Sequence, residues 1–192
     1  MNICLYGASS TELDKSFIEA TELLGEKIGI NGHSLVYGGG ANGLMGAAAR
    51  GVRKGGGKVI GVAPSFFQVD GVLFQDCTEF IYTETMRERK QIMEQRAEAF
   101  IMVPGGIGTF DEFFEIITLK QLGQHNKPVA IFNINGYYDS LVAMLDNAVK
   151  YKFMTEESRK LAPVFKDAES LIKYLEEYKA EDYEFSVFKK VK

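Results

Sequence analysis

One stretch constrains the fold more than any other. Ala99-Phe100-Ile101-Met102-Val103 is an unbroken apolar run, and Pro104-Gly105-Gly106-Ile107-Gly108-Thr109 follows it directly. A short apolar run without alternation is the pattern of a strand buried on both faces, as in a parallel sheet. Pro104 ends the strand, and the glycines allow a sharp bend and a close approach of backbone to ligand. Residues 110–122 then carry enough apolar side chains for a helix. Strand, glycine turn and helix together leave backbone N–H groups free to face an anion. Thr109 is expected as the N-cap, with its hydroxyl also on offer, and Glu112 follows one turn later beside the positive end of the helix dipole. Two readings stay open here: an anion socket with a carboxylate beside it, or a Thr109-x-x-Glu112 capping box that ties off a helix. A simple cap needs no such glycine content.

The rest of the chain repeats the alternation. Strands are expected at 2–6, 34–37, 58–62, 79–82, 99–103 and 129–132, with a short last one at 163–165. Helices are expected at 12–30, 44–54, 86–97, 110–122 and 138–151, with a final one capped by Asp167. The second helix is rich in Ala and Gly, which would let it lie close to a sheet. Residues 65–78 give only weak signals of regular structure, and such a loop is expected on the recognition surface. Continuous apolar strands alternating with helices define an α/β fold, a Rossmann-like doubly wound parallel sheet with helices on both faces. Residues 1–180 read as one such domain and 181–192 as a charged, aromatic C-terminal tail. Ligands of such sheets bind beyond the carboxyl ends of the strands. Small-residue turns after Tyr6 (which includes Ser9), Tyr37 and Val103 all fall there.

Composition excludes several classes. The 192 residues are 46% hydrophobic and 25% charged, with a formal net charge of -4. That is ordinary for a soluble domain and gives no nucleic-acid footprint. Cys4 and Cys77 make neither a metal spacing nor a disulfide framework, so a reducing, cytoplasmic compartment is expected. No apolar run approaches the ~20 residues that span a bilayer, and no basic stretch followed by an apolar one opens the chain.

Gly38-Gly39-Gly40-Ala41-Asn42-Gly43 matches the dinucleotide pattern G-x-G-x-x-G. That pattern wants an acid about 20 residues on, to hold a ribose. The position falls at Val62-Ala63-Pro64, without one. A dinucleotide-dependent oxidoreductase is therefore the weakest reading, and a tight turn for helix packing is the alternative for Gly43 and Gly46. Met86, Arg89, Lys90, Met93 and Ala97 share one helical stripe. Its apolar members mark the inward face, yet Arg89 and Lys90 interrupt it. A cation held toward the sheet needs an anionic partner, either Glu112 or a bound phosphate. Arg87 and Glu88 are expected in solvent, as are Asp111, Glu115 and Thr118 on the outer face of the next helix. His33 and His125 lie in turns and are given surface roles. No cluster suggests a metal.

Pro104-Gly105-Gly106-Ile107-Gly108-Thr109-Phe110-Asp111-Glu112 resembles the P-G-G-x-G-T-x-x-E motif of the LOG ("Lonely Guy") family, cytokinin riboside 5′-monophosphate phosphoribohydrolases often labelled lysine decarboxylases. Met86-Arg87-Glu88-Arg89-Lys90 is similar to its companion signature M-H-x-R-K, with Arg87 where the family usually has His. The resemblance also takes in Tyr37-Gly38-Gly39-Gly40, Val59-Ile60-Gly61-Val62, Lys127-Pro128-Val129 and Asn135-Gly136-Tyr137-Tyr138. It implies hydrolysis of the N-glycosidic bond of a nucleoside 5′-monophosphate, with Arg89 and Glu112 as the catalytic pair. It implies nucleotide contacts at Lys90, Gly105, Gly106, Gly108 and Thr109, with Ser9, Gly39 and Met86 as further candidates. No metal or other cofactor is implied, and a homodimer is. Glu112, beside an arginine and a helix N-terminus, is expected to stay ionised at pH 7, as a base or an electrostatic stabiliser. A non-catalytic carrier of a nucleotide or phosphorylated cofactor is the rival reading.

Overall fold

The computed structural model describes residues 1–180, and the tail read at 181–192 lies outside them. Seven strands alternate with helices: β1 (Asn2–Tyr6), α1 (Lys15–Ile30), β2 (Ser34–Tyr37), α2 (Gly43–Lys54), β3 (Val59–Pro64), β4 (Glu79–Thr83), α3 (Met86–Arg96), β5 (Ala99–Met102), α4 (Ile107–Gln121), β6 (Val129–Phe132), α5 (Asp139–Lys150), α6 (Glu156–Arg159), β7 (Val164–Phe165) and α7 (Ala168–Glu177). The sheet is parallel throughout, in the order β4-β3-β2-β1-β5-β6-β7. This is the doubly wound α/β fold that the strand pattern predicts, with the chain reversing direction across the sheet at β1.

Alternate residues of each strand enter opposite cores, because side chains of a strand point to its two faces in turn. Ile3, Leu5, Leu35 and Ile101 pack under α1, α2 and α7. Cys4, Tyr6, Val36, Phe100 and Met102 pack under α3 and α4 through Met93, Phe113 and Ile116. The strands read as continuous apolar runs for this reason.

Local chemistry sets the helix starts. Asp14 accepts from the Ser16 amide at 2.9 Å, so α1 begins at Lys15 and not at residue 12. Thr85 accepts from Glu88 N at 3.1 Å, while the Glu88 carboxylate accepts from Glu84 N at 2.8 Å, which starts α3. Asp167 caps α7 as expected, accepting from Ser170 N at 2.8 Å. The small residues of α2 bring it against α1 as well as the sheet. A Cβ added at Gly25 would strike Ala48 O, and one at Gly51 would strike Glu22 O.

Candidate active site

β1 is flanked by β2 and β5, so the connections leaving β1 and β5 diverge to opposite faces of the sheet. The divergence opens a crevice beyond the carboxyl ends of the strands. A cavity of about 580 Å³ occupies it. That volume suits a small molecule and far exceeds a lone phosphate. The loop after β1 supplies Gly7 to Ser10, the loop after β2 supplies Gly38, Gly40 and Asn42, and α3 and α4 supply Met86, Arg89, Gly106, Gly108, Thr109 and Glu112.

At the inner end of the cavity Arg89 donates from Nη1 to Glu112 Oε1 at 2.5 Å and from Nε to Val62 O at 3.1 Å. Both side chains are nearly closed off, at 7% and 11% exposure. Gly38 makes room for the guanidinium: a Cβ there would collide with Nη2. Arg89 thus finds Glu112 as the anion its inward position requires. Burial lifts the Glu112 carboxyl above its ordinary value, against the opposing pull of Arg89. Desolvation outweighs the helix end and the arginine in setting the direction of that shift, and the expectation of an ionised group at pH 7 stands beside it.

α4 begins at Ile107 with Gly106 as its N-cap, and no side chain caps it. The Thr109-x-x-Glu112 capping box does not form. Gly106 enters the helix three residues earlier than expected, which puts Thr109 inside the first turn, and Glu112 is engaged by Arg89. The backbone N–H groups of Gly106, Ile107, Gly108 and Thr109 make no hydrogen bond among the described residues. Thr109 is buried apart from the face it turns to the cavity, and its hydroxyl is likewise unbonded there. This is a wall of donors beside a buried acid.

Ser9, Met86, Gly106, Gly108 and Thr109 therefore line the same cavity as Arg89 and Glu112, while Gly39, Lys90 and Gly105 do not. Gly39 adopts φ +76° in the turn after β2, where its carbonyl accepts from Phe74 N at 2.9 Å. Lys90 reaches outward and is held by Asp111 at 3.1 Å and by Glu115. Those two acids lie on the exposed side of α4, as expected, but their role is to tie α3 to α4. Gly105 is buried and offers its carbonyl to the Tyr137 hydroxyl at 2.8 Å.

Four cavity-lining residues were not singled out from the sequence, although segment 65–78 was expected on the recognition surface. Phe67, Val72 and Leu73 come from the irregular segment between β3 and β4, and Met45 comes from α2. The segment is fixed by main-chain bonds to the loop after β2: Ala41 N to Val72 O and Phe74 N to Gly39 O, both 2.9 Å. Its apolar pairs were the available signal, but they carry no period. Cys4 sits behind the site, where burial pushes its thiol up to about 12, so it is not a nucleophile at neutral pH. His125 is not a surface group: its Nε2 pairs with Ile116 O at 2.9 Å, and burial brings its pKa down to about 4.

Fold and site together define a Rossmann-like α/β protein with a buried arginine–glutamate pair facing a helix N-terminus at the reversal of the sheet. A family model described as "Possible lysine decarboxylase" matches residues 45–175. A protein of Oryza sativa subsp. japonica named "Probable cytokinin riboside 5'-monophosphate phosphoribohydrolase" is 42% identical over 92% of this chain and 78% of its own. A cytokinin riboside 5'-monophosphate phosphoribohydrolase of Arabidopsis thaliana is 38% identical over 92% and 83%. The chain belongs to the LOG family. Among solved structures, a molybdenum cofactor binding protein from Rippkaea orientalis superposes with TM-score 0.70 at 20% identity, over 91% of this chain and 94% of its own. The molybdenum cofactor carrier protein of Chlamydomonas reinhardtii does so with TM-score 0.69 at 22%, over 91% and 95%. At these identities the two structures share the fold.

Proposed function

We propose that this protein hydrolyses the N-glycosidic bond of an adenosine 5′-monophosphate, N6-substituted or plain, to the free base and ribose 5-phosphate. The observation that carries the reading is the Arg89–Glu112 pair, 2.5 Å apart and nearly closed to solvent, at the end of a cavity walled by unbonded amides of α4. Phosphate on those amides fixes the ribose against Glu112, which converts remote binding into positioning. As the bond from the anomeric carbon to the base breaks, its electrons leave with the base nitrogen and the sugar becomes oxocarbenium-like. The Glu112 carboxylate stabilises that charge and takes a proton from the water whose oxygen bonds to the anomeric carbon, and the departing base nitrogen gains a proton from solvent while Glu112 returns its own there. Arg89 keeps the carboxylate oriented and within the ionised range.

The test is release of base from a panel of 5′-monophosphates, including that of N6-isopentenyladenosine, with the matching nucleosides as controls. Turnover of monophosphates and not of nucleosides is expected. Tight binding of AMP without release of base from any member would favour the carrier reading, to which the shared fold of the cofactor carriers lends support. The reading includes a homodimer, for which Ile107 at the start of α4, Met144 in α5 and Phe153 just after α5 offer exposed apolar side chains, at 88%, 56% and 88% exposure. Sedimentation equilibrium at twice the monomer mass is the expected result. It also includes a reducing, cytoplasmic setting, in keeping with Cys4 and Cys77 both being free.

A further inference from the structure

Two adjacent tyrosines grip the turn between β5 and α4 from behind. Tyr138 donates its hydroxyl to Val103 O and Tyr137 donates its hydroxyl to Gly105 O, both at 2.8 Å. Neighbouring side chains reach the same short loop because the chain before them is wound tightly. Asn135 has φ 53° and Gly136 φ 73°, two successive left-handed residues. Asn133 holds the wound segment through its carboxamide, accepting from Tyr138 N at 2.7 Å and donating to Asp139 Oδ1 at 2.7 Å. Asn135 donates to Ser16 Oγ at 2.8 Å, and the Tyr137 ring meets Phe17 edge-on at 6.1 Å between centroids. The pair is thus braced against α1.

The consequence follows from peptide geometry. Gly105 C=O and Gly106 N–H belong to one trans peptide, so they point in opposite directions. A hydroxyl that holds the carbonyl on one side turns the amide to the other. Gly106 lies on the cavity wall, and its N–H makes no hydrogen bond among the described residues. The second tyrosine provides an internal contrast. Val103 C=O shares its peptide with Pro104, which has no N–H to aim.

We infer that Tyr137 is a positioning residue for the phosphate: its hydroxyl sets the plane of the Gly105–Gly106 peptide and thereby aims the Gly106 amide at the anion. Tyr138 anchors the same loop without aiming a donor. This rests on the nucleotide reading above and adds a residue to it that does not line the cavity.

The experiment measures ribose 5-phosphate and adenosine binding by calorimetry in wild type, Tyr137→Phe and Tyr138→Phe, with melting temperatures alongside. Phenylalanine keeps each ring and removes only the hydroxyl. Tyr137→Phe is expected to bind ribose 5-phosphate about tenfold more weakly, the scale of one lost orienting hydrogen bond. Its adenosine affinity should be unchanged. Tyr138→Phe, which loses a buried hydrogen bond, should melt lower and keep a ribose 5-phosphate affinity within about twofold. Unchanged phosphate affinity in Tyr137→Phe overturns the inference while leaving the nucleotide reading intact. So does an equal loss for adenosine, which marks a packing role. Failure of the wild type to bind ribose 5-phosphate removes the reading itself, and the inference with it.

Discussion

Two glycine turns stand at the same edge of the sheet and meet opposite fates. The turn before α2 (Gly38 to Gly43) and the turn before α4 (Pro104 to Gly108) each follow a buried strand and open a helix. At α2 the anion-ready end is already answered from within: Ala8 O accepts from Leu44 N at 2.8 Å and from Met45 N at 3.2 Å. Gly43, at φ +59°, exists for this contact, since a Cβ would meet Ala8 O at 2.5 Å and Ser10 O at 2.7 Å. At α4 a Cβ built on Gly106 or Gly108 meets nothing within 4 Å, and neither residue has a positive φ. Neither packing nor a left-handed backbone calls for those two glycines, and the space beside them is open to the cavity. Four residues past the last glycine stands Ala47 in one turn and Glu112 in the other. Similar local sequences therefore make a strut in one place and leave amides open in the other, and the Ala8 carbonyl, two residues past β1, makes the difference.

Substitutions can break or sharpen this contrast. The largest effect is expected at the acid: Glu112→Gln should lower turnover about 10³-fold or more with the fold retained, as read by single-turnover base release and circular dichroism. Unchanged turnover would strip the α4 turn of its chemistry. Gly43→Ala should cost about 2–4 kcal/mol in a urea melt, because it combines a left-handed backbone with a carbonyl clash. Gly108→Ala should do the reverse, raising stability by about 0.5–1 kcal/mol as a first-turn replacement while weakening nucleotide binding about tenfold. Equal destabilisation by both alanines would erase the distinction between strut and site. The pH profile supplies the next separation. With Glu112 lifted above its ordinary 4.5, the acid limb of kcat/KM should fall at a pH higher than an exposed glutamate allows. The smallest effect comes from the scaffold. His125, ordinarily 6.5, is brought to about 4, so the stability it contributes is present above pH 6.5 and lost as pH falls through about 4. Replacing it with Gln should flatten the stability–pH slope in that window by about 1 kcal/mol, since solvent reaching the ring screens part of the shift.

Most of the sheet was legible because a strand buried on both faces has a one-dimensional signature, and β1, β2, β5 and β6 lie where their apolar runs fall. Arg89 was legible for the opposite reason: a cation on an inward stripe demands a partner, and Glu112 is that partner. Helix starts were less so, since Asp14 and Gly106 settle them by backbone detail that an apolar count misses. Lys90 shared the Arg89 stripe, yet one residue of helix rotates it by about 100°, enough to send its ammonium to Asp111 and Glu115 instead of the cavity. The wall from Phe67 to Leu73 was placed only as a loop on the recognition surface, because beyond a single 3-10 turn at Ser65–Phe67 it is neither helix nor strand. It is held by main-chain bonds to a loop distant in sequence, and no periodicity records such pairing.

That main-chain suspension has a consequence for how the chamber can change over time. The bonds from Ala41 to Val72 and from Phe74 to Gly39 use no side chains, so they survive a change of lettering at 67, 72 or 73. The Arg89–Glu112 pair hangs from a different support, Val62 O beneath Arg89. A lineage can thus retailor the rim to a new guest without disturbing the hearth, and tolerance for variety in the one is compatible with strictness in the other.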